Sequence, residues 1–232
     1  MLTLRRADER GHANHGWLDT HHSFSFADYF DEAHIRYGAL RVLNDDRIAG
    51  GRGFGAHGHR DMEIVTYVLS GALSHRDSMG NGSTIRQGDV QRMSAGTGVM
   101  HSELNGSKDD GLHLLQIWLL PRERGGAPGY EETRFSDADK RGRLRLVASP
   151  EGRDGSVTVQ SDASIYAGLV DGGERIEYAV SAGRRVYLHV ARGAVDVNGQ
   201  RPGAGDAAMI EAEPAVVLAN GAAAEVLLFD LA

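Results

Sequence analysis

Short runs of β-branched and aromatic residues recur along the whole chain, broken by glycine, Asn and Asp, and no long helical periodicity accompanies them. Glu63-Ile-Val-Thr-Tyr-Val-Leu69, Gly111–Leu120, Val186-Tyr-Leu-His-Val190 and Ala224–Asp230 are such runs. Between them lie turn signals: Met79-Gly-Asn-Gly-Ser83, Gln87-Gly-Asp89 and Val197-Asn-Gly-Gln200, where Asn-Gly is a strong hairpin cue. With 31 glycines against 5 prolines, glycine makes most of the turns. Many short strands at close spacing form sandwiches or barrels, so the expected fold class is all-β.

The pattern repeats once. Tyr67-Val-Leu-Ser-Gly71-Ala-Leu73 resembles His189-Val-Ala-Arg-Gly193-Ala-Val195, and each is followed by a Gly-Asp pair, Gly88-Asp89 and Gly205-Asp206. At 232 residues the chain accommodates two small β-barrels in tandem, one per half. The polar, turn-rich stretch Pro121–Arg143 lacks strand alternation and reads as the join, with a short helix over 134–141. The expected domains are 1–125 and 126–232.

Cysteine is absent, which excludes disulfide scaffolds, thiolate metal sites and cysteine nucleophiles. A net charge of −7 argues against nucleic-acid or anionic-lipid partners. The start has no apolar segment of signal-peptide length, and no stretch approaches the ~20 apolar residues of a membrane span. A cytoplasmic, monomeric protein is the expectation.

Two spacings carry chemistry. In a strand, His57 and His59 of Ala56-His57-Gly58-His59 share a face, roughly 6–7 Å apart along the chain. His101 and Glu103 of His101-Ser-Glu103 stand in the same i, i+2 relation. A lone His-x-His is a common surface coincidence, but two such pairs on neighbouring strands could close on one divalent ion. That gives one three-histidine, one-carboxylate site: His57, His59, His101 and Glu103. In the second repeat the positions of His57, His59 and Glu63 are Ala179, Ser181 and Arg185, and those of His101 and Glu103 are Leu218 and Asn220, with no imidazole or carboxylate, so one metal per chain is expected.

These residues resemble the cupin superfamily, in Gly51, His57, His59 and Glu63 for its first motif and Gly88, Ser94-Ala-Gly96, His101 and Asn105 for its second. Within it the chain is similar to the pirins. His22-Ser-Phe-Ser-Phe-Ala-Asp-Tyr29, His57-x-His-Arg60, Thr66-Tyr-Val-Leu69, Ser94-Ala-Gly-Thr-Gly98 and His101-Ser-Glu103 carry that likeness. It runs to Glu225–Asp230 and points to bacterial pirins with quercetin 2,3-dioxygenase activity. Gly58 stands where many members have proline. The resemblance implies two cupin-type barrels (double-stranded β-helices). It also implies a metal on His57, His59, His101 and Glu103, with Fe(II) first and Mn, Co, Ni, Cu or Zn as alternatives. Glu63, four residues after His59, is the rival carboxylate because it serves as the ligand in many cupins.

The activity implied is oxidative opening of a flavonol such as quercetin by O2, with loss of carbon monoxide and Glu103 taking the substrate proton. The alternative is a metal-dependent regulatory or redox-sensing module that binds a protein partner. Among other candidates, His21 and His22 could approach the site but read first as loop residues, and His113 reads as a packed or cavity-lining histidine. His12, His15, His34, His75 and His189 read as ordinary. Trp17, Phe24, Phe26, Tyr29 and Phe30 fit an aromatic pocket or an N-terminal segment packed on the core equally well.

Overall fold

The structure is a computed structural model that describes residues Met1–Ala232. Its strands in chain order begin with β1 (Leu2–Arg5), β2 (Gly11–Asn14), β3 (Leu18–His22), β4 (Leu40–Ile48) and β5 (Gly53–His59). They continue through β6 (Glu63–Ser70), β7 (Ala72–Asp77), β8 (Gly82–Arg86), β9 (Asp89–Ser94), β10 (Val99–Asn105), β11 (Leu112–Leu119) and β12 (Gly129–Arg134). After the short helix α1 (Asp137–Lys140) come β13 (Leu144–Ser149), β14 (Val157–Thr158), β15 (Ala163–Ala179), β16 (Arg185–Val197), β17 (Ala207–Glu211) and β18 (Ala215–Leu231). The fold is all-β, and no helix is long and apolar enough to cross a membrane.

Two compact units result. One holds Gly11–Arg134 with Val157–Ser161, and the other holds Met1–Arg10, Phe135–Ser156 and Asp162–Ala232. The expected division at 125/126 thus meets two departures. The first ten residues belong to the C-terminal unit, because Leu2 and Leu4 pack on its core and β1 pairs antiparallel with β17. A four-residue strand carries too little pattern for its partner to be read in advance. The stretch expected to be a strandless join also holds β12, which pairs with β9. Its residues are polar on both faces, so pairing forms a strand that alternation does not announce.

The N-terminal unit has two sheets, ordered β5-β10-β7-β8 and β12-β9-β6-β11-β4-β3-β2. They pack through one core in which Leu73 and Ile85 of the smaller sheet meet Ile48, Val68 and Leu114 of the larger. In the C-terminal unit, bulged register shifts around Gly172 bend the 17-residue β15 against β18. Both arms of the bent strands then face one core, where Ile176, Val216 and Leu218 join Val190, Val226 and Leu228.

The repeat seen in the sequence extends to its turns. The Arg86 amide donates to Asp89 Oδ2 at 2.8 Å, and the Gly203 amide donates to Asp206 Oδ2 at 3.0 Å, three residues back in each case. Asn198 and Gly199 both have positive φ (+45° and +81°), the requirement of a two-residue type I′ turn. Gly193 is more constrained: its φ is +65°, and a Cβ there would lie 2.2 Å from the Ala222 carbonyl oxygen. A Cβ at Gly199 would meet nothing. Gly199→Ala should therefore cost only the left-handed penalty, about 1 kcal/mol. Gly193→Ala should cost about 3 kcal/mol or more, since backbone must move. Urea unfolding of the two variants checks this, and equal midpoints would contradict it.

Candidate metal centre

β5 and β10 run antiparallel at the edge of the smaller sheet, with His101 directly opposite His57 and Val99 opposite His59. Further along, Glu103 lies opposite Phe54, so two steps on β10 face three on β5. This bulge changes which side chains share a face. Phe54 and His57 are three residues apart and would point to opposite sides of a regular strand, yet both line the same cavity. The bulge also brings the Gly55 carbonyl to His57 Nδ1 at 2.8 Å. With Nδ1–H donating there, His57 Nε2 keeps its lone pair.

His57, His59 and His101 converge. Their ring centroids lie 4.4–4.8 Å apart, and one nitrogen from each falls within 4.8 Å of the others. His57 Nε2 and His101 Nε2 are 3.0 Å apart. Burial first, and the neighbouring imidazoles second, push the His59 pKa down to about 4 and the His101 pKa to about 3. All neutral-pH chemistry at these two residues therefore uses uncharged rings. Trp118 meets the His59 ring edge-on at 4.9 Å.

Glu103 enters beside His101 rather than within the three-histidine group. One of its oxygens lies within 4.8 Å of nitrogens of His101 and His75. Its Oε2 accepts from Gln116 Nε2 at 2.9 Å, and Thr66 Oγ1 donates in turn to Gln116 Oε1 at 3.2 Å. Oε1 is buried with no hydrogen-bond partner. Burial pushes the Glu103 carboxyl up to about 7. Glu63 lies elsewhere: the strand breaks after His59, Asp61 takes φ +51°, and the Glu63 carboxylate accepts from Ser94 Oγ at 2.8 Å and the Gln160 amide at 3.1 Å.

The donor set suits a divalent transition ion. Neutral imidazoles with a fixed tautomer at His57 and a buried carboxylate at Glu103 are what such an ion binds, and a cation would satisfy the Glu103 oxygen left without a hydrogen bond. None of the three His/Asp/Glu groups with metal-ligand spacing lies in the C-terminal unit. The third group, His12, Asp19 and His21, is accounted for without a metal: His12 Nε2 contacts Asp19 at 2.7 Å and the two imidazoles stack at 4.4 Å.

A cavity of about 440 Å³ opens against this wall, within the roughly 300–1,000 Å³ typical of small-molecule sites. Trp17, Phe26, Phe54 and Trp118 give it aromatic faces, with edge contacts of 5.3 Å between Trp17 and Phe54 and 5.4 Å between Phe26 and Trp118. Of the other aromatic candidates, Phe24 is core, Tyr29 packs over Gly11, and Phe30 is 73% exposed. His22 lines the cavity, as does His15, whereas His21 does not. His113 contacts Asp45 at 2.7 Å instead.

Several neighbours escaped the reading of the sequence. His75 is buried between Gln91 and Asp77, at 3.0 and 3.3 Å, and stacks on Tyr130 at 5.0 Å. The i, i+2 relation of His75 and Asp77 was the available signal. Gln116 was visible as the single polar residue in an otherwise apolar run after His113. Asn44 and Asp46 belong to β4, where their partners are His22 and Thr20 across the strand pair.

The profile of the pirin family matches residues 3–119, and that of the quercetinase C-terminal cupin domain matches residues 146–231. The chain belongs to the pirin family. A quercetin 2,3-dioxygenase of Escherichia coli K12 is 48% identical over 231 residues, covering 100% of this chain and 99% of the relative. A pirin-like protein of Caulobacter vibrioides is 40% identical over 233 residues, with all of both chains covered. Among solved structures, the E. coli pirin YhhW in complex with nickel(II) matches with a TM-score of 0.94 at 48% identity, covering 100% of this chain and 99% of that one.

In this pirin, burial also pushes the Asp46 carboxyl up to about 7, aided by the nearby Asp45 and Glu103 carboxyls and opposed by the Thr20 hydrogen bond. A carboxyl raised in the folded state keeps a proton that the unfolded chain loses, so its contribution to stability falls as pH rises from about 4 to 7. The lowered histidines contribute with the opposite sign below pH 6.5, so the wild-type profile alone does not isolate Asp46. In metal-free protein, the stability of Asp46→Asn relative to wild type should rise across that window, by on the order of 1.4 kcal/mol per pH unit at the steepest. Urea titrations at pH 5 and pH 7 with chelator measure it, and parallel profiles would refute the assignment.

Proposed function

We propose that this pirin is a metal-dependent flavonol dioxygenase, an oxidoreductase that opens quercetin-like substrates with O2 and releases carbon monoxide. The observation that carries the reading is that a three-imidazole group opens, through His57 and His59, on an aromatic-walled cavity that Glu103 also lines. The full-length likeness to a quercetin 2,3-dioxygenase supports the substrate class.

In this reading His57, His59, His101 and Glu103 hold one ion. Fe(II) is the first assignment, and Mn, Co, Ni, Cu and Zn accept the same donors. When bound, the ion supplies Lewis acidity to a substrate oxygen and redox chemistry with O2.

The side chains do the rest. Glu103 takes the proton of the flavonol 3-hydroxyl, as a positioned carboxylate within reach of the substrate can. Gln116 Nε2 donates to Glu103 Oε2 and so holds the carboxylate in its direction. Trp17, Phe26, Phe54 and Trp118 stack against planar rings and exclude water. Both atoms of O2 enter the ring-opened ester, and the carbon that bore the 3-hydroxyl leaves as carbon monoxide.

Elemental analysis should find about one transition ion per wild-type chain and less than about a tenth of that in His101→Ala. Oxygen uptake with quercetin should fall by about 100-fold or more in Glu103→Gln. Full metal content in His101→Ala, or no turnover across a panel of metals, would remove the proposal.

A further inference from the structure

The cavity wall is mostly apolar, yet one stretch carries four polar side chains arranged as two cross-strand pairs. β3 and β4 set Thr20 opposite Asp46 and His22 opposite Asn44. Within the pairs Thr20 Oγ1 donates to Asp46 Oδ1, and His22 Nδ1 lies 2.9 Å from Asn44 Oδ1. All four residues are at most 4% exposed, and all four line the cavity.

A buried polar pair of this kind is an expensive way to build a wall. Burying an unsatisfied polar group costs about 1–3 kcal/mol, while two apolar side chains of the same shape can replace a bonded pair at little or no cost. The intrapair bonds use one Asp46 oxygen and the Asn44 carbonyl oxygen. Asp46 Oδ2 and the Asn44 amide group remain as hydrogen-bonding capacity on the wall. None of the four belongs to the three-histidine group or donates to Glu103.

We propose that this strip hydrogen-bonds ring hydroxyl groups of a planar, polyhydroxylated aromatic ligand and so selects among the flavonols the cavity admits. The inference rests on the flavonol reading above and deepens it. A site built to bond a hydroxyl discriminates strongly against the analogue that lacks it, because its own polar groups are then left unpaired.

The chain's two tryptophans, Trp17 and Trp118, both line the cavity, so their fluorescence reports occupancy directly. Nickel-saturated full-length protein is titrated without oxygen against quercetin, with five hydroxyls, and against 3-hydroxyflavone, with one. Wild type should bind quercetin at least about tenfold more tightly. The double variant Thr20→Val, Asp46→Leu replaces a bonded pair with an apolar one. It should bring the two ligands within about twofold of each other by weakening quercetin alone. An unchanged ratio in that variant overturns the strip. So does equal binding of both ligands by wild type, a result that needs no variant to fold. If neither ligand quenches the wild-type fluorescence, the strip and the flavonol reading fall together. If quercetin is bound and turned over but the ratio is flat, only the strip falls.

Discussion

The register between β5 and β10 is the constraint from which the rest of the site follows. His57 and His101 meet because the antiparallel ladder sets them opposite, and His59 joins them because it is two residues along the same strand. A slip of one residue would turn every one of these side chains to the other face. The bulge at Gly55–Ala56 adds what a regular ladder could not. It lets Phe54 share the cavity with His57, and it presents the carbonyl that fixes the His57 tautomer.

Around this ladder the unit tolerates an unusual amount of buried polarity. Glu103, Gln116, Thr66, Asp46, Asn44 and His22 are all buried on β-strands. Most are satisfied in pairs across neighbouring strands, where hydrogen bonding offsets the cost of leaving water. Glu103 Oε1 is fully buried and has no hydrogen bond. An unsatisfied carboxylate oxygen beside converging imidazoles is a feature that a bound cation explains and packing does not.

The C-terminal unit is a useful contrast within the same chain. It repeats the Gly-Asp turn down to the amide that donates to the aspartate side chain, and it builds its core by bending three long strands. The positions that correspond to His57, His59, His101 and Glu103 are Ala179, Ser181, Leu218 and Asn220. Architecture and chemistry are therefore separable here. The turns specify the shape, and a handful of inward residues on one copy specify the site.

Much of this was legible in one dimension. Strand alternation and glycine turns determined the all-β class, because side-chain parity and left-handed backbone are local properties. The same parity picked out His57 and His59 as one pair and His101 and Glu103 as another. The tertiary structure alone decided what depends on pairing between distant segments. The bulge that adds Phe54 needs β10 beside β5, and the break at Asp61 that sends Glu63 elsewhere depends on how β6 enters its own sheet. Asn44 and Asp46 find their partners only when β3 lies beside β4, and β1 shows its place only when β17 is there to receive it. A short motif can state which face a residue takes, but not what will stand opposite it.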